Sequence, residues 1–474
     1  MIHGVIELIG SFSMYELVKE EISQRKQEGC IVPDYSIENA DDNELRKIYD
    51  ELDSLEISGN FPFVEPNALE DILSESEGCS FKKSPSADAL GKQFHGAWLG
   101  RIIGCIMGKP IERYPYGSGN GSFDGWECIK LWQEGAGNSF PPTDYISKNS
   151  SAEKEYGFNI GCEPSLRENV KYAESDDDIR YLVLGLLVNE KYGNDFNAER
   201  IADMWHRYLT PGMCFTAERA AMANSLVCRE KTLDKKIEYC HGNMNPFREW
   251  IGAQIRIDHY GYYNAGDPLA AAKSAYNDAI FSHVKNGVYG AMFFAALIAA
   301  AFAEKDVRKC VDIALTVTPR KSRLYSDILF AIDAAENSAD TEEIYKKLWN
   351  RFKGLSPVHT NNNAAACVAA LIAGKGDFVK SVSAAIGAGW DTDCNGATVG
   401  SVIGAMHGID CIPEYLSAPL NDTLYSSIPD FHPIKISECA ERSYKLYAEK
   451  TDERILFSAR SLFGVSDREV QEKH

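Results

Sequence analysis

GAWLGRIIGCIMG, Gly96 to Gly108, places a glycine at every fourth position, and GATVGSVIGAMHG, Gly396 to Gly408, repeats that spacing later in the chain. A glycine inside a helix costs about 0.8–1 kcal/mol relative to alanine, so two such ladders need a compensating gain. Residues four apart share one helix face, where a stripe of hydrogens lets a second backbone come close. Tight helix packing is sufficient to account for both ladders. Both segments are therefore expected in the middle of the fold.

Working outward, helical patterns dominate. Ile179, Leu182, Val183, Leu186 and Leu187 follow the spacing of one apolar helix face. Val288 to Ala303 and Ala364 to Ala373 are apolar all round and alanine-rich, as central buried helices are. Met14 to Arg25 reads as a short helix. Strict period-2 alternation is scarce, so the expected class is all-α. Residues 1–86 differ in composition and read as an acidic N-terminal extension. Ser84-Pro85-Ser86 marks the boundary with a helical domain over 87–474. Within that domain, residues 114–162 are crowded with Gly, Ser, Pro and aromatics, including GSGNGSFDGW from Gly117 to Trp126. They lack the strand-to-helix setting of a phosphate loop, and a surface insertion with several turns is expected.

The chain has 474 residues, with 49 Lys and Arg against 69 Asp and Glu, a net charge of −20. No strongly basic stretch is present, which argues against a nucleic-acid partner. Half of the excess lies between Asp41 and Glu77, where twelve acids face only Arg46 and Lys47. That segment reads as a solvated face or a site for a protein partner. Thirteen cysteines without a CxxC pair suit reduced thiols in a cytosol better than a disulfide framework or zinc ribbon. The first residues lack a basic n-region, and the longest uncharged apolar run, sixteen residues, is short for a membrane span. A cytoplasmic protein without a membrane partner is expected.

Three acidic elements stand at the ends of these helices. Ser175-Asp176-Asp177-Asp178 precedes the Ile179 helix, where Ser175 suits an N-cap and Asp178 a capping box. The same residues could hold a hard divalent cation through carboxylates and a hydroxyl. Asp391-Thr392-Asp393 follows a Gly387/Gly389 turn and opens the second ladder. There the carboxylates of Asp391 and Asp393 can cap the helix or converge on one ion, and Asn395 reads as a local loop or cap residue. Glu112 follows the first ladder directly, after Pro110 has ended its helix. Acids gathered at the rim of a buried core are unfavourable unless a cation neutralises them.

These motifs resemble those of the ADP-ribosylglycohydrolases, all-α enzymes that remove ADP-ribose from modified side chains. GAWLGRIIGCIMGKPIE, Gly96 to Glu112, is similar to the family's GxxxGxxxGDxxGxPxE element. ESDDDIRYLVLGL (Glu174 to Leu186) resembles its TDDT segment, and GAGWDTDCNGATVGSVIGAMHG (Gly387 to Gly408) its GGDTDTNAA segment. Phe281 to Phe302 is similar to the family's central Thr-His helix. The resemblance spans about 90 to 440 and implies a large orthogonal helical bundle. It also implies two Mg²⁺ ions, or Mn²⁺, between the acidic elements. By position, Ser175, Asp176, Asp177, Asp391 and Asp393 would be metal ligands. Glu112 would be the catalytic group that activates water or assists ring opening. The implied activity is that of a metal-dependent glycosyl hydrolase acting at the anomeric ribose carbon of an ADP-ribosyl substrate.

Three positions depart from the pattern. Cys105 stands for the aspartate of GDxxG, Asp178 for the second threonine of TDDT, and Cys394 for the threonine after the DTD pair. A protonated thiol is a poor ligand for a hard ion. His283, next to Ser282, reads equally as a core histidine and as a substrate contact. His359 and Asn362 could lie near the cleft, with Asn363 as an N-cap. Trp390 could stack on an adenine or ribose, or pack in the core. Two other functions stay open: hydrolysis of a free nucleoside-type ribosyl compound, and non-catalytic binding of ADP-ribose.

Overall fold

The two glycine ladders pack on each other, antiparallel, in the computed structural model, which describes residues 12–451. The first runs through the helix Ala87–Gly108 and the second through Thr392–His407. Gly96 faces Gly404, Gly100 faces Gly400 and Gly104 faces Gly396, while Gly108 faces Thr392. A methyl group on any of these glycines would fall well inside van der Waals distance of the opposing backbone. The missing side chains are what allow this approach, and the packing gained offsets the helix cost of glycine. One end of the pair is fixed by a hydrogen bond, the Thr392 hydroxyl donating to the Gly108 carbonyl at 2.9 Å.

Around this pair the fold is all-α, as expected. Lys285–Ala301 is buried from Asn286 to Ala301, and Thr360–Gly374 is almost wholly buried. The amphipathic pattern from Ile179 forms Asp177–Tyr192, and Met14–Gln27 is the predicted N-terminal helix. The only strands among the described residues are Thr423–Leu424 and Ile434–Lys435, paired antiparallel. None of the described helices is long and apolar enough to cross a membrane. All thirteen cysteines are unbridged. The leader-free reading of residues 1–11 and the last part of the 87–474 domain fall outside the described residues.

The acidic extension is tied down by buried ion pairs. Two of its helices, Met14–Gln27 and Asp42–Asp53, carry capping boxes (Ser13 with Glu16, Asp41 with Glu44) and share a small core of Val18, Ile37, Leu45, Tyr49 and Leu52. Glu21 and Glu28 pair with Arg248 at 2.7 and 3.0 Å, and Glu65 with Arg323 at 2.7 Å. Arg323 also meets Glu249 at 2.7 Å. The expectation of a solvated acidic face holds for Asp42, Glu44, Asp50, Glu51 and Asp53. It fails for Glu65, whose side chain is 3% exposed. Arginines later in the chain supply partners that a local charge count does not register.

Residues 114–162 likewise depart from the expected surface insertion. They contain the helices Gly125–Gly135 and Ala152–Tyr156, and Tyr116, Trp126, Trp132 and Tyr145 are core residues. The turn-rich composition suggested exposure, but these aromatics carry enough apolar area to draw the segment inward.

Candidate functional site

Asp176 is the N-cap of Asp177–Tyr192, its carboxylate accepting from the Asp178 N–H at 3.1 Å. This replaces the expected Ser175 cap and its capping box with Asp178. The Ser175 hydroxyl is occupied elsewhere: it donates to the Ser426 carbonyl at 3.1 Å and accepts from Ser427 Oγ at 2.9 Å and Arg180 at 3.0 Å. Asp178 instead pairs with Arg101 at 2.7 Å, both side chains fully buried.

Asp391 holds the N-cap position of the second ladder helix, yet its side chain makes no capping hydrogen bond. Its N–H donates to Asn363 Oδ1 at 3.2 Å, and the same oxygen accepts from Asn395 Nδ2 at 2.8 Å. Asn363 is fixed in turn by donating to the carbonyls of Pro357 and His359, each at 2.8 Å. It therefore positions the Asp391 turn and caps nothing. The cap of Thr360–Gly374 is His359, which accepts from the Asn361 N–H at 3.1 Å. Trp390 lies face to face with Trp349, ring centroids 4.8 Å apart, which realises its packing reading.

The glycine pair joins these two elements. Because Gly108 meets Thr392, the end of the first ladder helix lies against the start of the second, and residues far apart in sequence converge. Cys105, Asp176, Asp178 and Asp393 offer donor atoms within 4.8 Å of one another, as do Asp391, Asp393 and Cys394. All are buried. Asp178 Oδ2, Asp391 Oδ1 and Asp393 Oδ1 have no hydrogen-bond partner. A buried carboxylate oxygen without a partner carries a full desolvation penalty. The unpartnered oxygens and the hard oxygen donors together fit a divalent cation. Asp177, half-buried, belongs to neither group.

Sequence reasoning passed over the basic residues of this site. Arg101 stands in the first ladder and also meets Asp258 at 3.0 Å. Lys109 lies 3.2 Å from Asp176 and donates to the Ser175 carbonyl at 2.7 Å. The signal was available: Arg101 is the one ionic residue between Gly96 and Gly108. Two helix N-termini, those of Asp177–Tyr192 and Thr392–His407, also bring partial positive charge to the acids.

These surroundings divide the carboxyls. Burial alone would raise Asp176, but the charges of Lys109 and Arg180 outweigh it and hold its carboxyl below the usual range. Burial lifts Asp178 to about 8, with Arg101 opposing and Asp176 and Asp391 adding to the rise. Burial and the charges of Glu112 and Asp176 push Asp393 well above the ordinary range. Glu112 behaves similarly: the protein mass around it, then Asp391 and Asp176, push it well up, while a hydrogen bond with Asp393 pulls it back. The Glu112 residue nevertheless remains exposed to solvent. Of the predicted site residues, Glu112 joins an accessible side chain to the buried acids.

His283 belongs to a different cluster. It is fully buried, with Nδ1 2.8 Å from Ser282 Oγ, which accepts from Arg256 at 2.8 Å. Arg256 also pairs with Asp278 and, at 3.1 Å, with Glu218. Burial raises the Glu218 carboxyl to about 7, against the pull of Arg256.

Residues 86–453 match the model of the family described as ADP-ribosylglycohydrolase. A solved structure described as an ADP-ribosylglycohydrolase-related protein complex is 17% identical over 75% of this chain and 97% of that one, with a TM-score of 0.44. No curated protein sequence matches.

Proposed function

The chain belongs to the ADP-ribosylglycohydrolase family, and on that footing we propose that it is a cation-dependent glycosyl hydrolase. Its substrates would be ADP-ribosylated side chains or related ADP-ribosyl compounds, cleaved at the anomeric ribose carbon. The observation that carries this reading is the gathering of buried acids into two groups that share Asp393, with three carboxylate oxygens unpartnered, beside the accessible Glu112. Asp176, Asp178, Asp391 and Asp393 would hold the cations, Mg²⁺ or Mn²⁺ being the ions implied by the resemblance. Ser175 and Asp177, which the resemblance also implies as ligands, would flank Asp176 at the start of Asp177–Tyr192. When bound, divalent ions supply Lewis-acid stabilisation of developing negative charge.

The protein's own residues prepare the rest. Lys109 and Arg101 grip Asp176 and Asp178 and fix where those carboxylates point. Asn363 fixes the Asp391 turn from the other side. Glu112 takes a proton from the attacking water as the water oxygen bonds the anomeric carbon, and that proton goes on to the leaving group as its bond to the carbon breaks.

Incubation with ADP-ribosyl-arginine and ADP-ribosyl-serine peptides plus Mg²⁺, Mn²⁺ or Zn²⁺ tests the reading, with an Asp391→Ala/Asp393→Ala variant as control. Release of ADP-ribose by the parent protein alone is the expected result. No release from any ADP-ribosyl substrate with Mg²⁺, Mn²⁺ or Zn²⁺ would overturn it.

A further inference from the structure

Each of the two donor groups contains a thiol. Cys394 stands with Asp391 and Asp393, and Cys105 with Asp176, Asp178 and Asp393. Cys105 is fully buried, Cys394 is 5% exposed, and neither is bridged. A buried cysteine is ordinarily a small apolar filler. That explanation is poor here, because both sulfurs share their space with carboxylate oxygens, three of which have no other partner. Oxygen donors alone suit Mg²⁺, whereas a thiolate strengthens binding of transition-metal ions and adds little for a hard ion. The sulfur also supplies one negative charge where a hydroxyl would supply none.

We infer that this centre takes borderline divalent ions such as Zn²⁺ in preference to Mg²⁺, with Cys105 as a thiolate ligand in one donor group and Cys394 in the other. On binding, each thiol gives its proton to solvent and its sulfur bonds the metal, with no change in oxidation state. Lys109 and Arg101 stay on Asp176 and Asp178, leaving Asp178 Oδ2, Asp391 Oδ1 and Asp393 Oδ1 to complete the donor set. The inference rests on the cation-dependent reading of this site and changes which ion fills it.

The test uses the full chain, reduced and kept free of oxygen, titrated with Co²⁺ as a spectroscopic probe and with Zn²⁺ and Mg²⁺ by calorimetry. The expected result is a near-ultraviolet thiolate-to-cobalt band that weakens in Cys394→Ser and in Cys105→Ser and is absent from the double variant. Cys394→Thr, which restores an oxygen donor, should lower the ratio of Zn²⁺ to Mg²⁺ affinity by about tenfold or more, the scale seen when metal surroundings change. Circular dichroism of each variant establishes that it is folded. Asp391→Ala/Asp393→Ala removes the carboxylates and should abolish both heat and band. Cation binding with no band, or a band that survives in the double cysteine variant, overturns the thiolate assignment and leaves the cation-dependent reading standing. No heat with any of the three ions overturns both.

Discussion

Arg101 and Asp178 form an ion pair of 2.7 Å in which neither side chain is exposed. The arginine rises between Gly100 and Gly104, so the helix that makes the closest backbone approach also delivers the cation that holds one site acid. Its guanidinium donates as well to the carbonyls of Asp178 and Ile255. Removing one partner of a buried pair leaves an uncompensated charge, at about 3–5 kcal/mol. Arg101→Met should lower unfolding free energy on that scale at a pH above about 8, where the Asp178 carboxyl is ionised, measured by denaturant titration. A loss below about 1 kcal/mol would show that Asp178 is neutral and needs no partner.

The glycine ladder yields a graded prediction. Gly104→Ala directs a methyl group into the Gly396 carbonyl, where backbone must shift. Overpacking of this kind costs typically about 1–3 kcal/mol, and the shift would separate the Gly108–Thr392 rung next to the acids. Gly59→Ala, with open space around it, is the matched control and should change stability by less than about 0.5 kcal/mol. Thermal denaturation of both variants makes the comparison.

Glu218 gives a pH signature separate from the site. Its folded pKa of about 7 lies above the ordinary 4.5. Below 4.5 both states hold the proton; between 4.5 and 7 the folded state retains a proton that the unfolded state has lost. The contribution of Glu218 to stability therefore falls as pH rises through that window and is level above it. At about 1.4 kcal/mol per pKa unit, the stability of the parent protein relative to Glu218→Gln should fall by roughly 3 kcal/mol between pH 4.5 and 7. A flat difference across that range would contradict the assignment.

Asp391 separates stability from function. Its buried carboxyl has its pKa raised by burial, so the metal-free protein tolerates the charge poorly. Asp391→Asn should therefore hold or raise the Tm without added metal, since replacing a buried ion is often neutral or stabilising by about 1–4 kcal/mol. The same change should erase the Tm rise produced by divalent ions. A Tm that falls without metal would show that the carboxylate has a purely structural role.

Arg248 fixes the acidic extension through Glu21 and Glu28. Arg248→Met leaves two buried carboxylates without their main cation, again a loss of about 3–5 kcal/mol. Limited proteolysis should then cut the helix-free stretch between Asp42–Asp53 and Leu69–Glu75 at protease levels the parent protein resists. Equal resistance would mean that Arg323 and Glu65 suffice to keep the extension docked.

Much of the fold was legible because helix periodicity and glycine spacing are local patterns. The ladders at Gly96–Gly108 and Gly396–Gly408 located the centre of the molecule, and the three acidic elements pointed to the candidate site. Partner choice was not legible. Ser175 and Asp176 are both good caps, and only the distant Ser426 and Ser427 decide that Ser175 is used elsewhere. Glu65 lies in an acidic run and looks solvated until Arg323 meets it. Asn363 offers a cap by composition, but the turn 28 positions away claims its oxygen. In each case the deciding atom lies far along the chain, where no sequence window reaches it.

The antiparallel glycine pair also bears on the order of events during synthesis. Its first strand of contacts is made early, at residues 96–108, and its complement at 396–408 leaves the ribosome only near the end. Chains fold as they emerge, N-terminal parts first. Until the second ladder arrives, the first ladder helix has a bare backbone stripe and Asp176 and Asp178 lack their opposing wall. The centre of this molecule is thus completed by one of its last-made helices, and a nascent chain stopped before residue 390 would hold only part of the acidic cluster and leave the first ladder uncovered.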